Sequence, residues 1–178
     1  MAERQDPSPR ATQILVAARR LLEDKGPQAL TMRAVADEVG IRAPSLYKHF
    51  PDKAALETAL TAASLRETAE ALEAAERAAP GSLRALTEAY RAYARAHPHL
   101  YRLATDRPLR RPALPDGVED RASAPLLRAV GGEAATARAV WAFAHGMVLL
   151  ELDGRFPSHA DLDAAWERGA LAFARPVP

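Results

Sequence analysis

Residues 31–53 constrain this chain more than all the rest, because start, turn and stop signals for two helices crowd into one short stretch. Thr31 is a good N-cap, its hydroxyl able to accept from an orphan amide of the first turn. Met32, Val35, Ala36 and Val39 then recur at helical spacing, which predicts one buried face. Gly40 stands where a left-handed residue ends a helix, and the apolar Ile41 behind it can plug the space between two helices. Pro44 has a preset φ and no amide to leave unpaired, so it suits the first position of a second helix, on which Leu46 and Phe50 share the inward face. Ser45, Lys48 and His49 are left facing outward. The pattern is that of a helix-turn-helix, a device that lays its second helix in the major groove of DNA.

The same residues resemble the N-terminal domain of TetR-type transcriptional regulators, over roughly residues 12–56. The resemblance rests on Thr31 at the motif start, the Val35-Ala36 pair, the Gly40-Ile41 turn, the Leu46, Tyr47, His49, Phe50 signature and the closing Lys53 and Leu56. Two positions depart from the common pattern: many members carry Ser or Thr where Arg42 stands and Gly where Pro44 stands. A recognition helix presents its N-terminal part to base edges, which makes Arg33, Ala43, Pro44, Ser45 and Lys48 candidates for base contact, with Arg42 beside them. Thr31, Tyr47, His49 and Lys53 read better as phosphate contacts; the resemblance implies that the motif tyrosine and the closing lysine hold the DNA backbone, which positions a protein without reading sequence. For Tyr47 and His49 the competing reading is packing beneath the helix.

A chain of 178 residues suffices for one or two domains, and 48% apolar residues without an apolar run of membrane-spanning length predict a soluble protein. With no cysteine there is neither a disulfide framework nor a thiolate metal site, and the first residues lack the apolar stretch of a signal peptide, so the expected compartment is the cytoplasm. A net charge of +1 is low for a DNA-binding protein, but the local field decides, and Arg42, Lys48 and Lys53 sit in or next to the motif.

Residues 1–9 read as a loose arm. A helix over about 10–25 buries Ile14, Leu15, Ala18, Leu21 and Leu22 and stops at Gly26-Pro27. Asp52 can cap a long helix whose stripe of Leu56, Leu60 and Ala63 gives way to one of Leu65, Ala69 and Leu72 before Pro80-Gly81. Ser82 caps the next helix, where Leu83, Leu86, Tyr90, Tyr93 and His97 keep a three-four spacing until Pro98. A short helix over 99–105 leads into a proline-rich surface loop bearing Arg107, Arg110 and Arg111, cations suited to DNA or an acidic partner, although the resemblance places this loop far from the duplex and so implies a solvated loop. A modest helix near 118–130 ends at Gly131-Gly132, and two longer ones follow over 133–152 and 161–174.

The helix over 133–152 is apolar on two faces, Trp141, His145, Val148 and Leu152 on one and Val140, Ala144, Met147 and Leu150 on another, so it needs two partners. One is its own core and the other a twin copy, with small Ala144 and Gly146 allowing close approach and Leu162, Trp166, Gly169 and Phe173 supplying a matching stripe. Trp141, His145 and Gly146 also resemble the Trp-His-Gly signature of one group of TetR-type ligand-binding domains.

Tyr90, Tyr93, His97, Tyr101, Trp141, Phe143, His145 and Met147 concentrate in the second domain and are the candidates for a small-molecule site, against the plainer reading of an aromatic core. His97-Pro98-His99 lacks a third ligand at recognisable spacing, so no metal is expected and no cofactor. Neither a nucleophile elbow, a phosphate loop nor a His-Glu helix motif is present, so no catalytic residue is assigned and an enzyme is not expected.

The expectation is an all-α fold of about nine helices. Residues 1–53 form a three-helix DNA-binding head, and residues 54–178 form a larger ligand-binding domain that pairs as a homodimer through about 133–152 and 159–174. Two heads imply a near-palindromic operator with half-sites about one helical turn apart, roughly 34–36 Å or a multiple. An unidentified small-molecule effector that prefers one head spacing would release such a repressor from DNA. The alternative is a helical ligand-binding or scaffold protein that no longer binds DNA.

Overall fold

The computed structural model describes residues 8–174. Among the described residues there are nine α-helices, one 3-10 turn and no strand: α1 (Pro9–Lys25), α2 (Met32–Val39), α3 (Ala43–Tyr47), α4 (Lys53–Ala78), α5 (Leu83–Ala96), α6 (Pro98–Thr105), the turn Arg111–Ala113, α7 (Val118–Ala129), α8 (Ala134–Leu152) and α9 (Leu162–Ala172). The helix starts carry the caps their sequences offer. Thr31 Oγ1 accepts from the Ala34 amide at 3.1 Å, Ser82 Oγ from Ala85 at 3.2 Å and an Asp52 oxygen from Ala55 at 2.7 Å, each worth about 1 kcal/mol. Of the arm expected over residues 1–9, residues 1–7 lie outside the described residues; Ser8 already caps α1 and Pro9 opens it.

The chain packs as two compact units, one of residues up to 64 together with 99–115, the other of 65–98 together with residues from 116 onward. The reading by function divides the chain at residue 53. By packing, the first unit keeps the start of α4, because Leu56 and Leu60 are fully buried in its core, and takes in α6, because Leu100 is too.

In the first unit Ile14, Ala18, Leu21 and Leu22 of α1 close on Leu30, Val35, Ala36, Leu46 and Phe50. At about 1.5–3 kcal/mol for each fully buried large aliphatic side chain, this core outweighs the low intrinsic stability of helices as short as α2 and α3. Gly40 ends α2 at φ 68°, ψ 37° with its amide on the Asp37 carbonyl (3.1 Å) and the Ile41 amide on that of Ala36 (2.9 Å). A side chain there would be strained by roughly 1–2 kcal/mol. Pro44 is the second residue of α3, not the first as expected, with Arg42 as an N-cap that makes no side-chain bond. At the other end, Glu23 of α1 accepts from the Leu100 amide at 2.9 Å and the His99 amide at 3.4 Å, capping α6 from outside its own segment.

In the second unit Leu83, Val130, Val140 and Ala170 form one buried cluster, joined by Leu126, Ala129, Ala137 and Phe173. The expectation that Trp166, Gly169 and Phe173 of α9 face a twin is corrected: Trp166 is buried, Phe173 packs into this cluster, and Gly169 lies beneath the ring of Phe143 of α8, where a Cβ would overlap it. Ala144 is likewise buried within its own chain. Helical spacing marks an apolar face without saying whose core it meets. Along α4, Ala63 and Leu65 are only half-buried, whereas Ala62 and Ser64 are buried, since small residues fit either side of a stripe.

Candidate nucleic-acid interface

Burying Leu46 and Phe50 turns everything between and around them outward. Thr31, Arg33, Arg42, Pro44, Ser45, Tyr47, Lys48, His49 and Lys53 are all exposed, and Ala43 is half-buried. Tyr47 is 46% exposed, so packing beneath the helix does not account for it, nor for His49. Thr31 accepts a capping bond through its hydroxyl oxygen and keeps its O–H for another acceptor. Arg33 reaches Asp37 only at 4.0 Å, with both side chains in solvent, which leaves its guanidinium available to a phosphate or base. Arg20 of α1 pairs with Glu38 of α2.

Lys53 opens α4, and its ammonium lies 3.5 Å from Glu57 one turn on. The same carboxylate receives Arg107 Nη1 at 3.3 Å. The proline-rich connection, expected as a free surface loop, is thus fastened to the first turn of α4. Neither Glu57 nor Arg107 carries a periodic signal, and only the packing of α6 into this unit brings them together.

The aromatic candidates do not form one group. Trp141 Nε1 donates to the Tyr90 hydroxyl at 3.2 Å and the Trp141 ring stacks on His145 at 5.7 Å, so Tyr90, Trp141 and His145 come together, with Trp141 itself half-exposed. Tyr93 instead meets His97 edge-on at 5.1 Å and donates its hydroxyl to Glu67 at 3.3 Å. Phe143 turns to α9, 5.6 Å from Trp166 and 6.0 Å from Phe173. Met147 is half-buried, and Tyr101 is buried in the first unit. His99 lies over Gly26 in the first unit.

A polar node in the second unit had no sequence signal. Arg91 Nε donates to Glu151 at 3.0 Å and Nη1 to Asp163 at 2.5 Å, its guanidinium 5.5 Å from the centre of the Trp166 ring, while Trp166 Nε1 also donates to Glu151. Burial pulls the Arg91 pKa down, but the bonds to Asp163 and Glu151 more than offset it and hold the group charged. The node forms one wall of an open cleft of ≈ 440 Å³ that Arg95, Asp161 and Leu162 also line.

Two family models match the chain. One described as bacterial regulatory proteins, tetR family, spans residues 14–60, and one described as tetracyclin repressor-like, C-terminal domain, spans residues 83–173. The "uncharacterized HTH-type transcriptional regulator Rv0681" of Mycobacterium tuberculosis is 31% identical over an alignment covering 90% of this chain and 78% of that protein. Among solved structures, a protein of unknown function from Rhodococcus sp. RHA1 superposes with a TM-score of 0.74 at 25% identity, covering 97% of each chain. The multidrug binding protein EbrR, complexed with imidazole, does so at 0.65 and 25%, covering 97% of this chain and 98% of its own. No helix of the described residues is long and apolar enough to cross a membrane. The chain belongs to the TetR family of bacterial transcriptional regulators.

Proposed function

We propose that this regulator acts as a homodimeric repressor that binds a near-palindromic operator through α3 and its flanks and leaves it when a small apolar effector occupies the second unit. The observation that carries the DNA reading is the outward set around buried Leu46 and Phe50: Tyr47 at the end of α3 and Lys48 and His49 in the turn after it are solvent-facing, on a motif packed through those two side chains. Lys48 and Ser45 serve base edges, and Thr31, Tyr47 and Lys53 serve phosphates.

Dimerisation is supported by apolar side chains that α8 and α9 leave in solvent, Trp141, Leu150 and Leu171. The effector reading is supported by the Tyr90, Trp141, His145 group, which offers flat rings with a few polar anchors, and by likeness to EbrR, a protein crystallised with imidazole. An effector that lowers operator affinity tenfold must bind tenfold more weakly to the DNA complex, a coupling of about 1.4 kcal/mol.

In vitro selection of bound duplexes tests the reading. Recovery of a paired half-site at one-turn spacing supports it, and a chain that retains no duplex at low salt refutes it in favour of a ligand-binding or scaffold role.

A further inference from the structure

Lys53 and Arg107 share one carboxylate, each within 3.5 Å of a Glu57 oxygen. The resemblance implies a loop far from DNA, but this tie holds the loop after α6 beside the α4 start, where Lys53 meets a phosphate in the reading above. Glu57 alone would offset Lys53, and Arg107 restores the positive balance. Its side chain is 71% exposed against 18% for Glu57, so an approaching polyanion meets the guanidinium before the carboxylate. The run Asp-Arg-Pro-Leu-Arg-Arg over 106–111 sets three arginines against one aspartate, and Arg110 and Arg111 are exposed. Pro108 and Pro112, with the Ala113 amide on Arg110 O (2.9 Å) and the Leu114 amide on Arg111 O (3.0 Å), restrict this run, which lowers the entropy lost when it docks.

We propose that residues 107–111 are a second DNA-backbone contact of the head, a cationic loop that neutralises phosphates next to those reached through Lys53. This rests on the DNA-binding reading. Each DNA strand carries a phosphate every ~3.4 Å along its axis, so cations gathered around one carboxylate can serve neighbouring phosphates. Such contacts carry no base information, so the loop adds affinity and salt dependence without changing which operator is chosen.

The test uses the full chain, an operator duplex recovered by selection with the wild type, and affinity measured across KCl concentrations. Arg110→Gln leaves the Arg107–Glu57 tie in place and is expected to lower the slope of log affinity against log salt by about 0.9; the triple Arg107→Gln/Arg110→Gln/Arg111→Gln should lower it by about two to three. Arg107→Lys keeps the charge and should keep the slope, and the ranking of operator variants should match the wild type in every case. Wild-type slopes in both Arg110→Gln and the triple variant overturn the proposal and leave the DNA reading standing; a loop that serves an acidic protein surface gives that result. A changed ranking at constant slope also overturns it, because base readout would then be the loop's role. A wild type that binds no duplex overturns both readings.

Discussion

Replacing Glu151 by Ala removes, in one step, the acceptor of two buried donors. Trp166 is 2% exposed, and its indole N–H would be left unpaired at a cost of about 1–3 kcal/mol. Arg91, with a side chain 13% exposed, would lose one of its two carboxylates. Breaking a buried pair costs about 3–5 kcal/mol, but Asp163 remains at 2.5 Å and is 89% exposed, so only part of that applies. Together the two losses come to about 3–4 kcal/mol, several times the ~0.5 of a surface change. At about 2–4 °C per kcal/mol for a chain of this size, the melting midpoint should fall by about 10 °C, read by calorimetry at fixed protein concentration because the stability of any self-associating chain depends on it. Glu151→Gln, which keeps an acceptor but no charge, should lose about half as much. Asp163→Ala, at the exposed end of the node, should cost under about 1 kcal/mol. A loss below 1 kcal/mol in Glu151→Ala, or an equal loss in Asp163→Ala, would show that the node does not hold α5, α8 and α9 together.

Lys53→Ala should lower the operator salt slope by about one phosphate contact, and Lys48→Ala should change the preferred sequence in a repeated selection; an unchanged slope or an unchanged consensus removes that residue from its role. Leu150→Glu puts a charge on an exposed part of α8, so it should spare the fold and convert a sedimenting dimer to monomer, and a persistent dimer would place the interface elsewhere. Gly169→Ala drives a methyl into the Phe143 ring, which Trp166 and Phe173 hemmed in, and should destabilise by about 1–3 kcal/mol in urea titration. Glu73 and Glu76 of α4 have pKa values held below the ordinary 4.5 by hydrogen bonds from Arg121 and Arg128 of α7. Their stabilisation is present above that ordinary value and lost as pH falls through the depressed one, so Glu73→Gln/Glu76→Gln should flatten the acid limb of the urea midpoint against pH.

What the sequence made legible was local. Caps at Thr31, Asp52 and Ser82, the Gly40 turn and the breaks at Pro80 and Pro98 each act within a few residues, and they place the helices to within a residue or two, except that α3 ends at Tyr47 and leaves Phe50, expected on it, in the turn region that follows. The outward set on α3 and the turn after it was legible for the same reason, since burying Leu46 and Phe50 decides where their neighbours point. Partnership was not. Trp166, Gly169 and Phe173 read as a stripe for a twin copy because spacing reports amphipathicity and not the surface that covers it. The Arg91–Glu151 and Arg107–Glu57 pairs join residues 60 and 50 positions apart, and nothing short of the packed helices brings such charges together. The aromatic candidates shared a composition, but helix phase sends Phe143 to α9 and Trp141 to Tyr90.

That α6 and its loop belong to the first unit while the chain on either side belongs to the second has an evolutionary corollary. A head cut out after residue 64 would lose Leu100 from its core and leave Glu23 without the amides it caps, so the first unit is not a portable cassette bounded by a single crossover. Recombination that exchanges heads between relatives must carry two separate gene segments, or else accept a cavity the size of a leucine. The head of this regulator is therefore expected to diverge together with residues 99–115, as one inheritance unit interrupted in sequence and continuous in space.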